Sequence, residues 1–195
     1  LIQGLPKAEL HIHLEGSMQP ELMFRLAERN NVTLRFGSVE ELKRAYRFEN
    51  LQEFLDLYYE GMQVLLTEQD FYDLTWDYLY KAHQDSVIHT EMFFDPQAHL
   101  ERGVEFETVI NGIFAAMREA EKQLGISSLL IFSFLRHLPG SDALALIKML
   151  EPYLDRFVAV GLDSSELGNP PEWFEDAFRF ARERGLKTVA HAGEE

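Results

Sequence analysis

Five short apolar runs, each followed by helical pattern, constrain this chain more than any other feature. The runs cover residues 8–13, 87–94, 127–134, 157–162 and 187–191. Most are nearly continuous in apolar residues, as parallel strands buried on both faces are. The intervals carry helical patterns over 19–30, 50–66, 67–85, 105–124, 141–150 and 171–184, and Ser38 with Glu41 forms a capping-box pattern for one more. The order is one strand, several helices, then alternating strands and helices, which predicts a parallel α/β architecture. No repeat, low-complexity stretch or Pro/Ser-rich linker interrupts it, so residues 1–195 read as a single domain. Only Ala192-Gly193-Glu194-Glu195 follow the fifth run, and the expectation is a domain truncated after a strand.

The 195 residues include no cysteine, which excludes a disulfide framework, a cysteine-ligated zinc finger and an Fe–S centre. Any metal must be held by His, Asp or Glu. Thirty-three acids against eighteen bases give a formal charge of -15. Such a surface repels phosphate backbones and anionic lipids, so neither nucleic acid nor a membrane is an expected partner. The balance suits a soluble cytoplasmic protein with a neutral or cationic small ligand. No apolar run approaches the roughly 20 residues of a membrane helix, and residues 1–6 lack the basic and apolar regions of a signal peptide.

The first run ends in His11-Ile12-His13, followed by Leu14-Glu15-Gly16. Side chains two apart on a strand share a face, so the two imidazoles converge where a zinc ion could use both. Alone, a His-x-His is more often a polar alternation or a pair of satisfied histidines. Its place at the end of the first strand of a βα series favours a ligand role, because active sites of parallel barrels are built at strand ends. The fifth run ends in His191-Ala192-Gly193-Glu194, offering a third imidazole and a carboxylate. Gly193 would permit the sharp exit that returns Glu194 over the strand end. A plain strand-to-helix turn explains this stretch equally well when it is taken alone. A metal shared with His11 and His13 accounts for both stretches at once.

Residues 6–16, Pro-Lys-Ala-Glu-Leu-His-Ile-His-Leu-Glu-Gly, together with His191-Ala192-Gly193-Glu194, resemble the signatures of the adenosine/adenine deaminase family. The resemblance runs along the whole chain. It implies the first five or so βα units of a (β/α)8 TIM-type barrel, with extra helices after the first strand. It further implies one zinc ion on His11, His13 and His191, and Glu194 as proton donor to N1 of a purine. Phe93-Phe94-Asp95-Pro96-Gln97 and the stretch 160–166 look like the adenine deaminase branch. Adenosine deaminases usually carry Asp in place of Glu15 and Gly in place of Glu166. The implied reaction is hydrolysis of adenine to hypoxanthine and ammonia, with adenosine or an N6-substituted purine as the alternative substrate. Glu15, Gly16, Asp163 and Glu166 are the implied substrate contacts. In this reading Glu166 accepts the N–H of the five-membered ring and occupies the space of a ribose, a mismatch that discriminates strongly. The family's later His and its Asp-Asp pair have no counterpart up to residue 195, so the 195-residue chain by itself is expected to be inactive.

Weaker candidates are Asp95, read as a turn residue before Pro96, and His137 in a loop after the third run. His83, His89 and His99 show no partner spacing. The cluster Phe54, Leu55, Tyr58, Tyr59 and Met62 reads as helix core, with the roof of a pocket as its alternative role. Two other function classes remain open: a metal-dependent hydrolase with another substrate, and a non-catalytic protein that kept half of a deaminase. Oligomeric state leaves no signal in the sequence.

Overall fold

The structure, a computed structural model, describes residues 2–194. Its contacts divide the chain into two compact units, Leu1–Met92 with Ala98–Ser128, and Phe93–Gln97 with Leu129–Glu195.

In the first unit, strand β1 (Lys7–His13) lies beside β2 (Val87–Phe94). Helices α1 (Pro20–Asn30), α2 (Val39–Ala45), α3 (Leu51–Met62), α4 (Glu68–Gln84) and α6 (Phe106–Leu124) accompany them. Their starts are chemically marked. Pro20 opens α1, where its missing N–H costs nothing. Ser38 and Asn50 accept the backbone N–H groups of Glu41 and Glu53 at the starts of α2 and α3. Thr67 and Asp70 form a full capping box on α4. Helices α4 and α6 meet where α6 carries Gly112; a Cβ there would come within 2.2 Å of the Glu68 carbonyl oxygen. The missing side chain is what lets the two backbones touch.

In the second unit, the end of β2 is followed in spatial order by β3 (Ser127–Leu135), β4 (Ala159–Asp163) and β5 (Lys187–Thr188). Pairing is parallel, with Ile131 opposite Ala159 and Val160 opposite Thr188. All five residues of β4 are buried, as its apolar run predicts. Helix α8 (Glu175–Glu183) packs on β4 and β5, and α7 (Gly140–Met149) packs on α8. Phe94, Phe132, Phe134 and Phe157 pack through stacked and edge-on ring pairs, and Phe134 meets Phe178 of α8 edge-on.

The expected elements are present with shifted ends. The fourth strand begins at Ala159 rather than Phe157, because Phe157 closes a turn from Leu154. The fifth is regular only over Lys187–Thr188, although Val189 and His191 still donate to Val160 and Leu162 at 3.0 and 2.9 Å. The helix expected over 50–66 stops at Met62. One helix was not expected from the sequence: α5 (Pro96–Glu101), where Asp95-Pro96 reads as a turn but starts a short helix instead. Among the described residues, no helix is long and apolar enough to cross a membrane.

Candidate functional site

In the first unit, β1 places His11 and His13 on the same face with their Nε2 atoms 3.1 Å apart. Two nitrogens bound at about 2.0–2.1 Å to one tetrahedral zinc stand about 3.3 Å from each other. The pair therefore has the separation of two ligands of a single ion.

The chain then folds into a short 3-10 turn, Glu15–Ser17, that buries Glu15. One oxygen of Glu15 lies 2.9 Å from His99 Nε2, and the other 3.4 Å from the Tyr58 hydroxyl. His99 comes from α5 and is fully buried, with its ring edge-on to Phe71. Arg102 donates to His99 Nδ1 at 2.7 Å. Burial pushes the Arg102 guanidinium down from its usual range, and the Glu15 charge pulls it back up. Gly16 lies against the Tyr58 ring, and a Cβ there would sit 3.3 Å from it. Glu15, Gly16, Tyr46, Phe48, Phe54 and Tyr58 line a narrow cleft. Of the aromatic cluster read as helix core, Leu55, Tyr58 and Met62 are buried, while Phe54 stays partly exposed at the cleft.

In the second unit, four strand ends carry polar groups. Asp95 follows β2 and Asp163 ends β4; both are buried, with carboxylate oxygens within 4.8 Å of each other. Asp95, read from the sequence as a turn residue, is buried between the end of β2 and the start of α5. Ser164 adopts φ 74, a left-handed conformation uncommon outside glycine, which turns the chain sharply off β4. Its hydroxyl lies 2.8 Å from Nδ1 of His137, which is otherwise exposed.

The fifth strand delivers His191, half-buried, and Glu194, exposed. Gly193 has φ 74, the left-handed turn expected of it. That turn brings Oε2 of Glu194 to 3.0 Å from Nδ1 of His191. With Glu194 ionised, Nδ1 carries the ring proton and Nε2 presents the lone pair a metal would use. Glu166 reaches the same turn: its two oxygens accept the backbone N–H groups of Gly193 and Glu194 at 3.0 and 2.7 Å.

Arg136, two per cent exposed, is a site residue that sequence reasoning did not single out. Its guanidinium donates to the carbonyls of Asn169 and His191 and lies 3.8 Å from Glu166. His99 was also passed over. Its partner is 84 residues away, so no local spacing announces it.

The residue pattern and the fold have counterparts. The family model for adenosine deaminase matches residues 6–195. Adenine deaminases from Zymomonas mobilis and Stutzerimonas stutzeri are 60% and 61% identical over 194 residues, covering all of this chain. The chain spans only 58% and 61% of those relatives' own lengths. The crystal structure of an adenine deaminase from Arthrobacter aurescens matches 96% of the chain, and 57% of its own, with a TM-score of 0.93 and 49% identity. An amidohydrolase from Burkholderia ambifaria, solved with bound zinc, matches 98% of the chain and 53% of its own at a TM-score of 0.89 and 30% identity. These likenesses establish the architecture as α/β with five parallel strands, part of a TIM-type amidohydrolase barrel. By family match and by identity, the chain belongs to the adenosine deaminase family.

Proposed function

We propose that the protein carrying this chain is a zinc-dependent adenine deaminase that hydrolyses adenine to hypoxanthine and ammonia. The observation that carries this reading is the 3.1 Å separation of the His11 and His13 Nε2 atoms, two ligand positions of one ion, in a chain that matches the adenosine deaminase family over residues 6–195. His191 is the third nitrogen we assign to that zinc, and Glu194 the acid beside it. The donor set fits the metal: neutral imidazoles suit zinc, and no thiolate is available in this sequence. Zinc bound there supplies a water acidic enough to act as hydroxide near neutral pH.

The chain's own residues do the rest. Glu194, carrying a proton when adenine binds, gives it to purine N1 as the oxygen of a water bonds to C6. The C6–amino bond then breaks, the amino group taking one proton of that water to leave as ammonia while the other returns to Glu194. Glu15, Gly16, Asp163 and Glu166 are the residues we assign to the purine's surroundings. Adenine, rather than adenosine, is favoured by Glu15 and Glu166, which stand where adenosine deaminases usually carry the shorter Asp and Gly. The relatives of about 60% identity are named adenine deaminases, which supports the same choice.

The test is ammonia release by the protein in its natural full length, offered adenine, adenosine and N6-methyladenine in parallel, before and after chelation. The expected result is turnover of adenine well above the other two, lost on chelation and restored by zinc. Turnover of phosphoesters without ammonia release, or activity indifferent to chelation, refutes the proposal.

A further inference from the structure

Arg136 and Glu166 form a brace around the turn that carries His191 and Glu194. The arrangement lies wholly within the second unit and begins at the end of β3. The backbone N–H of Arg136 donates to the Asp163 carbonyl at 3.0 Å, fixing where the guanidinium starts. Nε and Nη2 then donate to the Asn169 carbonyl at 3.0 and 2.8 Å, and Nη1 donates to the His191 carbonyl at 3.0 Å. The Glu166 carboxylate is 3.8 Å from the same Nη1, and its two oxygens accept from Gly193 and Glu194. Asn169 closes the loop on its own side, donating through Nδ2 to the Ser165 carbonyl at 2.9 Å.

A buried guanidinium is costly unless its donors are used. Here its donors go to backbone carbonyls on two segments, and the nearest carboxylate grips the turn between them. One charge pair therefore holds the turn at both ends: by its first carbonyl, at His191, and by its last two amides, at Gly193 and Glu194. His191 has only two rotatable side-chain bonds beyond this backbone, and the 3.0 Å contact of its Nδ1 with Glu194 Oε2 ties the longer Glu194 side chain to it, so the placement of the turn sets both. Neither Arg136 nor Glu166 needs to touch a substrate to do this.

We propose that Arg136 and Glu166 are positioning residues that set the placement of His191 and Glu194 through the backbone of residues 191–194. The proposal rests on the deaminase reading above for its catalytic consequence, though not for its structural one. Glu166 thereby acts on catalysis through the turn, rather than chiefly through direct contact with the purine ring.

The test uses the full-length protein and Glu166→Gln, with Arg136→Lys as a second variant. An amide side chain has a single acceptor oxygen, so Glu166→Gln loses one of the two grips. Lysine keeps the charge but loses the planar fork that bonds two carbonyls. Amide hydrogen exchange at Gly193 and Glu194, read with zinc bound and with zinc removed, is expected to accelerate at least tenfold in Glu166→Gln. With adenine, kcat is expected to fall about a hundredfold, the cost of displacing a catalytic group by about 1 Å, while KM stays within twofold. Unchanged exchange at both amides overturns the proposal. So does a KM that rises more than kcat falls, which is the signature of direct substrate contact. If Arg136→Lys does not fold, Glu166→Gln decides alone, since its side chain is 21% exposed and not part of the core. If the unaltered protein releases no ammonia from adenine, the deaminase reading fails and the exchange measurement alone decides the brace.

Discussion

His99 Nε2 donates to Oε1 of Glu15 across 2.9 Å, with both side chains buried. The direction of this bond follows from Arg102. A guanidinium can only donate, so His99 Nδ1, 2.7 Å from it, must be the acceptor and Nε2 must hold the proton. His99 is thereby a neutral link between a buried carboxylate and a cation. His99→Ala removes the donor and leaves Glu15 under-solvated in the interior. A loss of about 3 kcal/mol is expected, from the usual cost of leaving a buried carboxylate without its hydrogen-bond donor. Urea unfolding at pH 7 measures it, and His99→Gln, which retains a donor, should recover part of the loss. Nitrogen NMR of the His99 ring checks the tautomer independently: a protonated Nδ1 would contradict the assigned direction.

Gly112 is where α6 meets α4, and the room there is less than one methyl group. A Cβ would stand 2.2 Å from the Glu68 carbonyl oxygen and 2.8 Å from Phe71 Cβ. The first neighbour is backbone and cannot rotate away. Alanine is the better helix former by about 1 kcal/mol, so on an open surface Gly112→Ala would stabilise. Here overpacking dominates, and a net loss of about 1–3 kcal/mol is expected. A thermal midpoint equal to or above that of the unaltered protein would show that the helices can separate at little cost.

Periodicity and end chemistry made most of the fold legible. The apolar runs located all five strands, and Ser38 marked a helix start that the structure confirms. What escaped was set by tertiary contacts. Helix α5 hides behind Asp95-Pro96, a pair that usually signals a turn, and only its burial beneath neighbouring elements makes it a carrier for Gln97 and His99. The two His-bearing strand ends were visible because each is a compact motif with period two or three. Arg136 was not, because its partners are the carbonyls of Asn169 and His191, and backbone acceptors leave no mark on sequence. Glu166 was singled out from the sequence as an expected substrate contact, but its bonds to Gly193 and Glu194 depend on a loop path that only coordinates display.

Asp70 supplies a pH-dependent part of the stability. Burial alone would raise its carboxyl, but the N–H groups of Leu66 and Thr67, the Asn30 amide and the Thr67 hydroxyl outweigh that and hold it below its ordinary value of 3.8. Arg29 adds an ion pair. A carboxyl depressed in the folded state contributes fully above its unfolded pKa, and the contribution fades as pH falls toward the folded one. The stability advantage over Asp70→Asn should therefore be constant from pH 7 to about 5 and shrink below about pH 4. Urea midpoints of the two proteins across that range test this, and an advantage that persists undiminished to pH 2 counts against it.

The zinc assignment makes an atom-level prediction. His11 and His13 face each other through Nε2, so both are expected to ligate by that nitrogen. Addition of zinc to metal-free full-length protein should move the Nε2 resonances of both rings strongly, leaving each Nδ1 as a protonated outer contact. Losing an outer partner of a ligand typically costs about 10–100-fold in metal affinity. His13→Ala removes a ligand itself and should cost more than that, which competition with a chromogenic chelator can read without any assay of turnover. His83→Ala serves as the control, because His83 lies on α4 outside the cluster and should leave zinc affinity within twofold. Equal zinc affinity in His13→Ala and the unaltered protein would mean that the 3.1 Å pair is only a hydrogen-bonded couple of imidazoles.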